Sequence, residues 1–341
     1  MSLRPWLRLV WLALVCPMLA QAATVDSVAV DAAPAWRLVA HDTLTSPRLA
    51  EPSGLAIDAF GRLWVSDAAL HRVVRLADDG RDLDETGALG SEPGQFRRPG
   101  AMAVTGALGV AVLDLENRRV SLYDHHLRLL GAVLDLTAPA LEERTGRITP
   151  VALAADRGGA LYLADGDRDR ILAFDFAGTF LREWGGFGGR AGGFSGLMGL
   201  TSDGRGTLIT VERPRSRPRK GAVDDRTVAR ARVQWMESGG RVLRTAWTPV
   251  WAAGAGERAL AVAVDGQGRV AIAGERSGEV CVLSAEGDLL AHLGGLAAPK
   301  PLQQRLPLRL AAALVAALPR EVDLRQRGAR RRRSKDRNSC K

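Results

Sequence analysis

Three acid–base pairs recur at one interval in this chain. Asp67 precedes Arg72, Asp114 precedes Arg119 and Asp165 precedes Arg170, each by five residues. A carboxylate and a guanidinium so spaced either bond each other or present charge to a ligand. The recurrence favours the first, because a feature used once per repeat belongs to the repeat's own bonding. Five histidines are present: His41, His71, His125, His126 and His292. None stands in an H-E-x-x-H or similar paired spacing, so no metal motif is legible. There is no G-x-S-x-G elbow, P-loop or dinucleotide fingerprint. The glycines of Gly185-Gly-Phe-Gly-Gly189 fall between two repeats, which argues against phosphate binding there.

The pairs are parts of a longer repeat. Gly54-Leu-Ala-Ile-Asp58, Gly61-Arg-Leu-Trp-Val-Ser-Asp67 and His71-Arg-Val-Val-Arg-Leu76 return as Ala101–Val104, Gly109–Asp114 and Arg119–Tyr123. They return again as Ala152–Asp156, Ala160–Asp165 and Arg170–Phe174. A fourth copy starts at Leu197, is interrupted after Glu212 and resumes at Arg232. A fifth runs from Leu260 to Leu283, with Gly274 in place of the acid and Glu279 in place of the arginine. Each copy holds short apolar or alternating runs separated by turn dipeptides such as Phe60-Gly61, Asp203-Gly204 and Glu286-Gly287. Such runs read as strands and hairpins. The fourth run of a copy is the most polar, as an outer edge strand should be. Four-stranded sheets repeating at about 40–50 residues are the blades of a β-propeller, so the expected fold class is all-β.

Pro52-Ser-Gly-Leu-Ala-Ile-Asp58, Leu63-Trp-Val-Ser-Asp67, His71-Arg-Val73 and the linker Gly90-Ser-Glu-Pro-Gly-Gln-Phe96 before Pro99 resemble NHL repeats. Gly188-Gly-Arg-Ala-Gly-Gly-Phe194 echoes the linker. The resemblance covers roughly residues 50–295 and implies a propeller of six blades. Five copies are visible. The lone run Ala35-Trp-Arg-Leu-Val-Ala-His41 would close the ring by completing the last blade; either the ring closes with five blades and this strand, or it has six with a degenerate last blade.

In a propeller, one face gathers the residues before each inner strand and the turns between the second and third strands. Binding sites are expected there, on loops held by a rigid scaffold. Here these positions supply Glu51, His71, Arg98, Asn117, Arg147 and Asp167 as candidate binding residues, with Arg97, Arg258 and Ser277 beside them. The pairs Asp67–Arg72, Asp114–Arg119 and Asp165–Arg170 are expected to be structural. The family resemblance adds an alternative. Sugar-lactonase relatives hold a divalent ion in the channel, and Glu51, Asn117 and Asp167 are the matching oxygens for Ca2+. The three-histidine zinc site of the amide-lyase branch has no counterpart, since His125-His126 falls in a turn on the opposite face and His292 in an outer strand.

The formal charge of +9 over 341 residues invites a nucleic-acid reading that its distribution opposes. Residues 1–22 carry Arg4 and Arg8 and no acid; residues 299–341 carry 13 Lys and Arg against Glu321, Asp323 and Asp336. The body between them is mildly acidic. The first end reads as an export signal, with a basic start, the apolar run Leu9–Leu19 and the cleavage site Ala20-Gln-Ala22. The run is well short of the ~20 residues that span a bilayer, so no transmembrane anchor is expected. The expected divisions are a signal at 1–22, an entry segment at 23–49, the propeller at 50–298 and a tail at 299–341. In the tail, Leu306–Leu318 reads as an apolar helix and Arg330–Arg333 with Lys335 as a basic end suited to an anionic surface. Cys281 and Cys340 after the signal make no disulfide framework. Arg213–Arg230, rich in Pro and charge, reads as a solvated hairpin extension. Taken together, these features lead to the expectation of a secreted or periplasmic binding scaffold. Its ligand on the propeller face would be a protein, a glycan or a small molecule, with no specific nucleic acid and no required cofactor. A lactonase- or lyase-like enzyme is the alternative.

Overall fold

The structure is a computed structural model; it describes residues 10–11, 42–43, 49–77, 80–106, 109–216, 229–251, 259–274 and 279–293. Five four-stranded antiparallel sheets follow one another along the chain. Blade 1 comprises Pro52–Ile57, Leu63–Asp67, Arg72–Leu76 and Asp82–Thr86. Blade 2 comprises Pro99–Thr105, Gly109–Asp114, Arg119–Asp124 and Leu129–Asp135. Blade 3 comprises Pro150–Ala155, Leu161–Asp165, Arg170–Phe174 and Phe180–Gly185. Blade 4 comprises Leu197–Ser202, Thr207–Glu212, Arg232–Glu237 and Val242–Trp247. Blade 5 comprises Ala259–Val264, Val270–Gly274, Val280–Leu283 and Leu289–Leu293. The fold is a β-propeller with its five inner strands around one axis.

One expectation changes here: the described residues form five blades rather than six, each taking its four strands from one consecutive stretch. Ala35–His41, the expected closing strand, lies outside the described residues, as do the signal segment and the tail. The short strands Val10–Trp11 and Asp42–Thr43 pair in parallel with each other.

Burial explains the strand pattern. The second strands Leu63–Asp67 and Leu161–Asp165 are buried along their whole length; in Leu161–Asp165 both sheet faces meet neighbouring blades. The outer strands alternate instead; Phe180–Gly185 is mostly exposed. Every outer strand also breaks register at the same point, leaving Leu83, Leu130, Leu181, Leu243 and Leu290 as the bulged residues. A bulge twists an edge away from further pairing, which protects five exposed edges by one repeated device.

Close to the axis the inner strands crowd one another. They border an open cavity of about 70 Å³ lined by small and apolar residues, among them Gly54, Ala101, Ala152, Gly199 and Ala261. Gly54 is required by contact rather than by backbone angle, since a Cβ there would lie 2.1 Å from the Gly100 carbonyl oxygen.

Between blades 2 and 3 the chain forms a seven-residue helix, Pro139–Thr145. The extension in blade 4 is a hairpin, with Arg215–Ser216 antiparallel to Ala229–Arg230; residues 217–228 lie outside the description. Among the described residues no helix is long and apolar enough to cross a membrane.

Candidate functional site

The antiparallel order puts three kinds of segment on one face: the starts of the inner strands, the turns between second and third strands, and the linkers between blades. Backbone bonds tie the first two together. Ala68 donates to Glu51 O, Leu115 to Arg98 O, Gly166 to Thr149 O and Arg213 to Gly196 O. The opposite face carries the other hairpin turns, closed by Asp58, Asp124, Asp175 and Asp203, each accepting backbone N–H groups two and four residues on. His125 and His126 sit in one of these turns, with ring centroids 3.9 Å apart.

The repeated pair is built into the site face. Each acid caps the backbone just before its own inner strand. Asp67 accepts from Ala50 N and Glu51 N at 2.7 and 3.0 Å, Asp114 from Arg97 N at 2.9 Å, and Asp165 from Thr149 N at 3.2 Å. Each arginine stands opposite its acid in the hairpin register. Arg119 Nε lies 3.4 Å from Asp114, and Arg170 Nε donates to Asp165 at 3.0 Å. Arg72 reaches outward to Glu85.

Arg170 also donates to Glu183 of its own outer strand, and further donors of Arg119 and Arg170 go to the linker arriving from the preceding blade. Arg119 donates to the carbonyls of Ser91, Glu92 and Gln95, and Arg170 to Thr145 O at the end of the helix. Linker carbonyls have no strand partner, and arginine's fork satisfies several at once. Burial pushes the Asp114 carboxyl up, while Asn117, the Arg97 amide and Arg119 pull the other way.

Blade 4 restores the arrangement with other residues. Glu212 accepts from Ser195 N at 2.9 Å and from Arg232 Nε at 2.6 Å. Arg232 then donates to the carbonyls of Gly188, Gly189, Arg190 and Gly193. The two glycine-rich linkers also match in shape. Leu89 bridges Phe96, and Phe187 bridges Phe194, with Phe96 and Phe194 fully buried.

The six candidate residues separate on inspection. Asn117 donates to Gly90 O and to Asp114, so its amide pins a linker. Asp167 accepts from Thr149 Oγ1 at 2.7 Å, within its own blade. The structure brings His71 and Arg98 together, through Arg98 N–H donating to His71 Nδ1 at 3.1 Å. Asp169 occupies the equivalent place in blade 3 and accepts from Gly196 N and Leu197 N of blade 4. Both His71 and Asp169 have positive φ, near 50°, just before the arginine of the pair. The His71–Arg98 bond is therefore an interblade tie of a repeated kind.

Glu51 is half-buried, and its backbone amide is capped by Asp67. Arg97, Arg98 and Arg147 are exposed, and no ion pair or hydrogen bond of their guanidinium groups is found among the described residues. Arg258 and Ser277 lie outside the description. Among the described residues no three His, Cys, Asp or Glu side chains gather closely enough to hold a metal ion.

Sequence reasoning missed the apolar part of this face. Leu89 is 63% exposed and Phe187 81%, each on a linker, and Leu70 is exposed on a turn. The signal was present: both linker residues are large and apolar between glycines and polar residues, where a solvated linker needs neither.

No family model and no curated protein matches the chain, so the NHL resemblance rests on its own residues. Three solved structures are similar in overall architecture. A virginiamycin B lyase from Staphylococcus aureus is 12% identical, over 73% of this chain and 71% of that one, with a TM-score of 0.48. A nidogen/laminin complex is 15% identical, over 71% and 80%, with a TM-score of 0.48. A gluconolactonase from Xanthomonas campestris is 17% identical, over 73% and 77%, with a TM-score of 0.46. The propeller itself rests on the strand order given above.

Proposed function

We propose that this chain is an exported NHL-type β-propeller that serves as a binding scaffold, taking a carboxylate-bearing protein or glycan on its linker face. One observation carries the reading: the repeated acids Asp67, Asp114 and Asp165 are turned inward onto backbone, while Arg97, Arg98 and Arg147 face solvent without partners among the described residues, beside exposed Glu92, Glu116 and Asp167. A face so arranged has positive charge to offer a ligand. Exposed Leu70, Leu89 and Phe187 give it apolar contacts as well. The axis offers little for chemistry, being lined by small apolar residues.

Export rests on Arg4, Arg8, Leu9–Leu19 and Ala20-Gln-Ala22. The basic tail is assigned to anionic surfaces such as envelope polymers or lipid headgroups, through Arg330–Arg333 and Lys335.

Titration of the full chain with Ca2+ tests the scaffold reading against the enzyme reading. A scaffold gives no stoichiometric binding. One tightly held Ca2+ per chain, lost in Glu51→Ala, would replace this reading with a metal-dependent lactonase- or lyase-like enzyme.

A further inference from the structure

Two linkers of the site face share one construction. Leu89 precedes blade 2 and Phe187 precedes blade 4 at matching places. Each lies between two backbone bonds to a buried phenylalanine. Phe96 N donates to Ala88 O and Gly90 N to Phe96 O; Phe194 N donates to Gly186 O and Gly188 N to Phe194 O. Two residues earlier stand Gly87 and Gly185, where a Cβ would lie 2.6 Å from that phenylalanine's ring. Phe96 and Phe194 are fully buried, yet Leu89 is 63% exposed and Phe187 81%. This is not the exposure of a loose loop. Arg119 donates to the carbonyls of Ser91, Glu92 and Gln95, and Asn117 to that of Gly90. Arg232 donates to those of Gly188, Gly189, Arg190 and Gly193, while Gln234 accepts from Gly192 N and donates to Gly193 O. Each apolar tip is held by the blade that its linker enters. A backbone fixed in advance has less freedom to lose when a partner arrives. One exposed apolar side chain needs no explanation, but two at matching places on latched linkers do.

We propose that Leu89 and Phe187 are the two anchor points for an acidic polypeptide that carries large apolar side chains. The inference rests on the binding-face reading above and narrows its ligand from a carboxylate-bearing protein or glycan to a protein. Charge sets the acidic part. Exposed Arg97 and Arg98 end the first linker, exposed Arg190 lies in the second, and exposed Arg147 lies in the linker between them. Glu92 is also exposed, three residues from Leu89. It disfavours an unbroken run of acids there and favours an uncharged side chain opposite the leucine.

Apolar contact sets the polypeptide part. An aromatic ring alone would suit the face of a sugar as well. Leu89 has neither a ring to stack nor a polar atom, so a hydroxyl-covered glycan offers it no matching surface. Leucine, phenylalanine or tyrosine of a polypeptide covers both tips, and large side chains of this kind dominate protein contacts. The tips stand on linkers two blades apart, with the linker of Arg147 between them. A partner that touches both must cross that linker, which a chain can do and a small molecule cannot.

Two polymers titrated into the full chain, with Arg330–Arg333 replaced by glutamine, test the assignment. One is polyglutamate; the other is a glutamate–tyrosine copolymer of equal length. The copolymer should bind more tightly by about tenfold or more. In Leu89→Ser/Phe187→Ser the two affinities should agree to within about twofold, with the melting temperature unchanged because both side chains are exposed. Equal affinities in the parent chain, or a copolymer advantage that survives the double substitution, would overturn the proposal and leave the basic face standing. So would polygalacturonate that binds as tightly as the copolymer and weakens in the serine variant, which would give the tips to a glycan. Failure of both polymers to bind would remove the binding-face reading itself, and this inference with it.

Discussion

Arg232 Nε lies 2.6 Å from Glu212 Oε1, although twenty residues separate them and only five separate Arg170 from Asp165. The same bond is made across an inserted hairpin, with a longer acid in place of aspartate. What each of these blades preserves is a function of position: a carboxylate that caps a backbone amide just before the blade's own inner strand, and a guanidinium that bonds linker carbonyls. Glu212 also bonds Gln234, and burial pushes its carboxyl up against these donors.

Removing Glu212 therefore leaves Arg232 buried beside an uncapped amide. Glu212→Ala should lower stability by about 3 kcal/mol, the scale for breaking a buried pair. Glu237 and Arg241 form an exposed pair, at 43% and 72% side-chain exposure, and Glu237→Ala should leave the melting curve where it is. Chemical denaturation of the two variants beside the parent chain checks both. Equal losses would show that the latch contributes no more than a surface contact.

The crowding at the axis makes a second prediction. Gly54→Ala places a methyl against the Gly100 carbonyl and Ser66 Oγ, at 2.1 and 2.8 Å. The expected cost is about 3 kcal/mol, at the upper end for overpacking. Gly61→Ala meets nothing within 4 Å, and its φ of 78° costs about 1 kcal/mol. Thermal melts of both variants give the order directly.

Acid should find a specific weak point in blade 1. Burial alone would raise the Asp58 carboxyl, but bonds from Trp64 Nε1, Arg62 and Phe60 outweigh it and hold it below the usual aspartate range. A carboxyl depressed in the folded state adds stability that is full above the unfolded-state value and is lost as pH falls through the folded one. The parent chain should therefore lose its advantage over Asp58→Asn as pH drops below the ordinary aspartate range. Melting curves of both proteins from neutral pH down to about pH 3 follow that difference. A gap between them that is independent of pH would remove Asp58 from the acid transition.

Much of this architecture was legible because each blade repeats its own physics. The runs Leu63–Val65 and Leu161–Ala164 are mostly apolar and wholly buried, and the turn glycines Gly61 and Gly159 mark where they begin. The Glu212–Arg232 bond was not legible as a pair, because an insertion hides a contact that exists only in space. The helix Pro139–Thr145 is two turns long and gives too few residues for a helical period to show. The candidate site was legible only as a face. Which of its residues stay free depended on bonds to backbone, such as Asn117 to Gly90 O and Arg98 N to His71, that side-chain identities alone do not announce.

The binding face itself is tested most directly by titrating polyglutamate into the full chain with Arg330–Arg333 replaced by glutamine, so that the tail does not compete. In that background, Arg97→Ala/Arg98→Ala/Arg147→Ala should weaken binding by roughly tenfold or more, with the melting temperature unchanged. Binding that survives the triple substitution at full strength would contradict the assignment of this face.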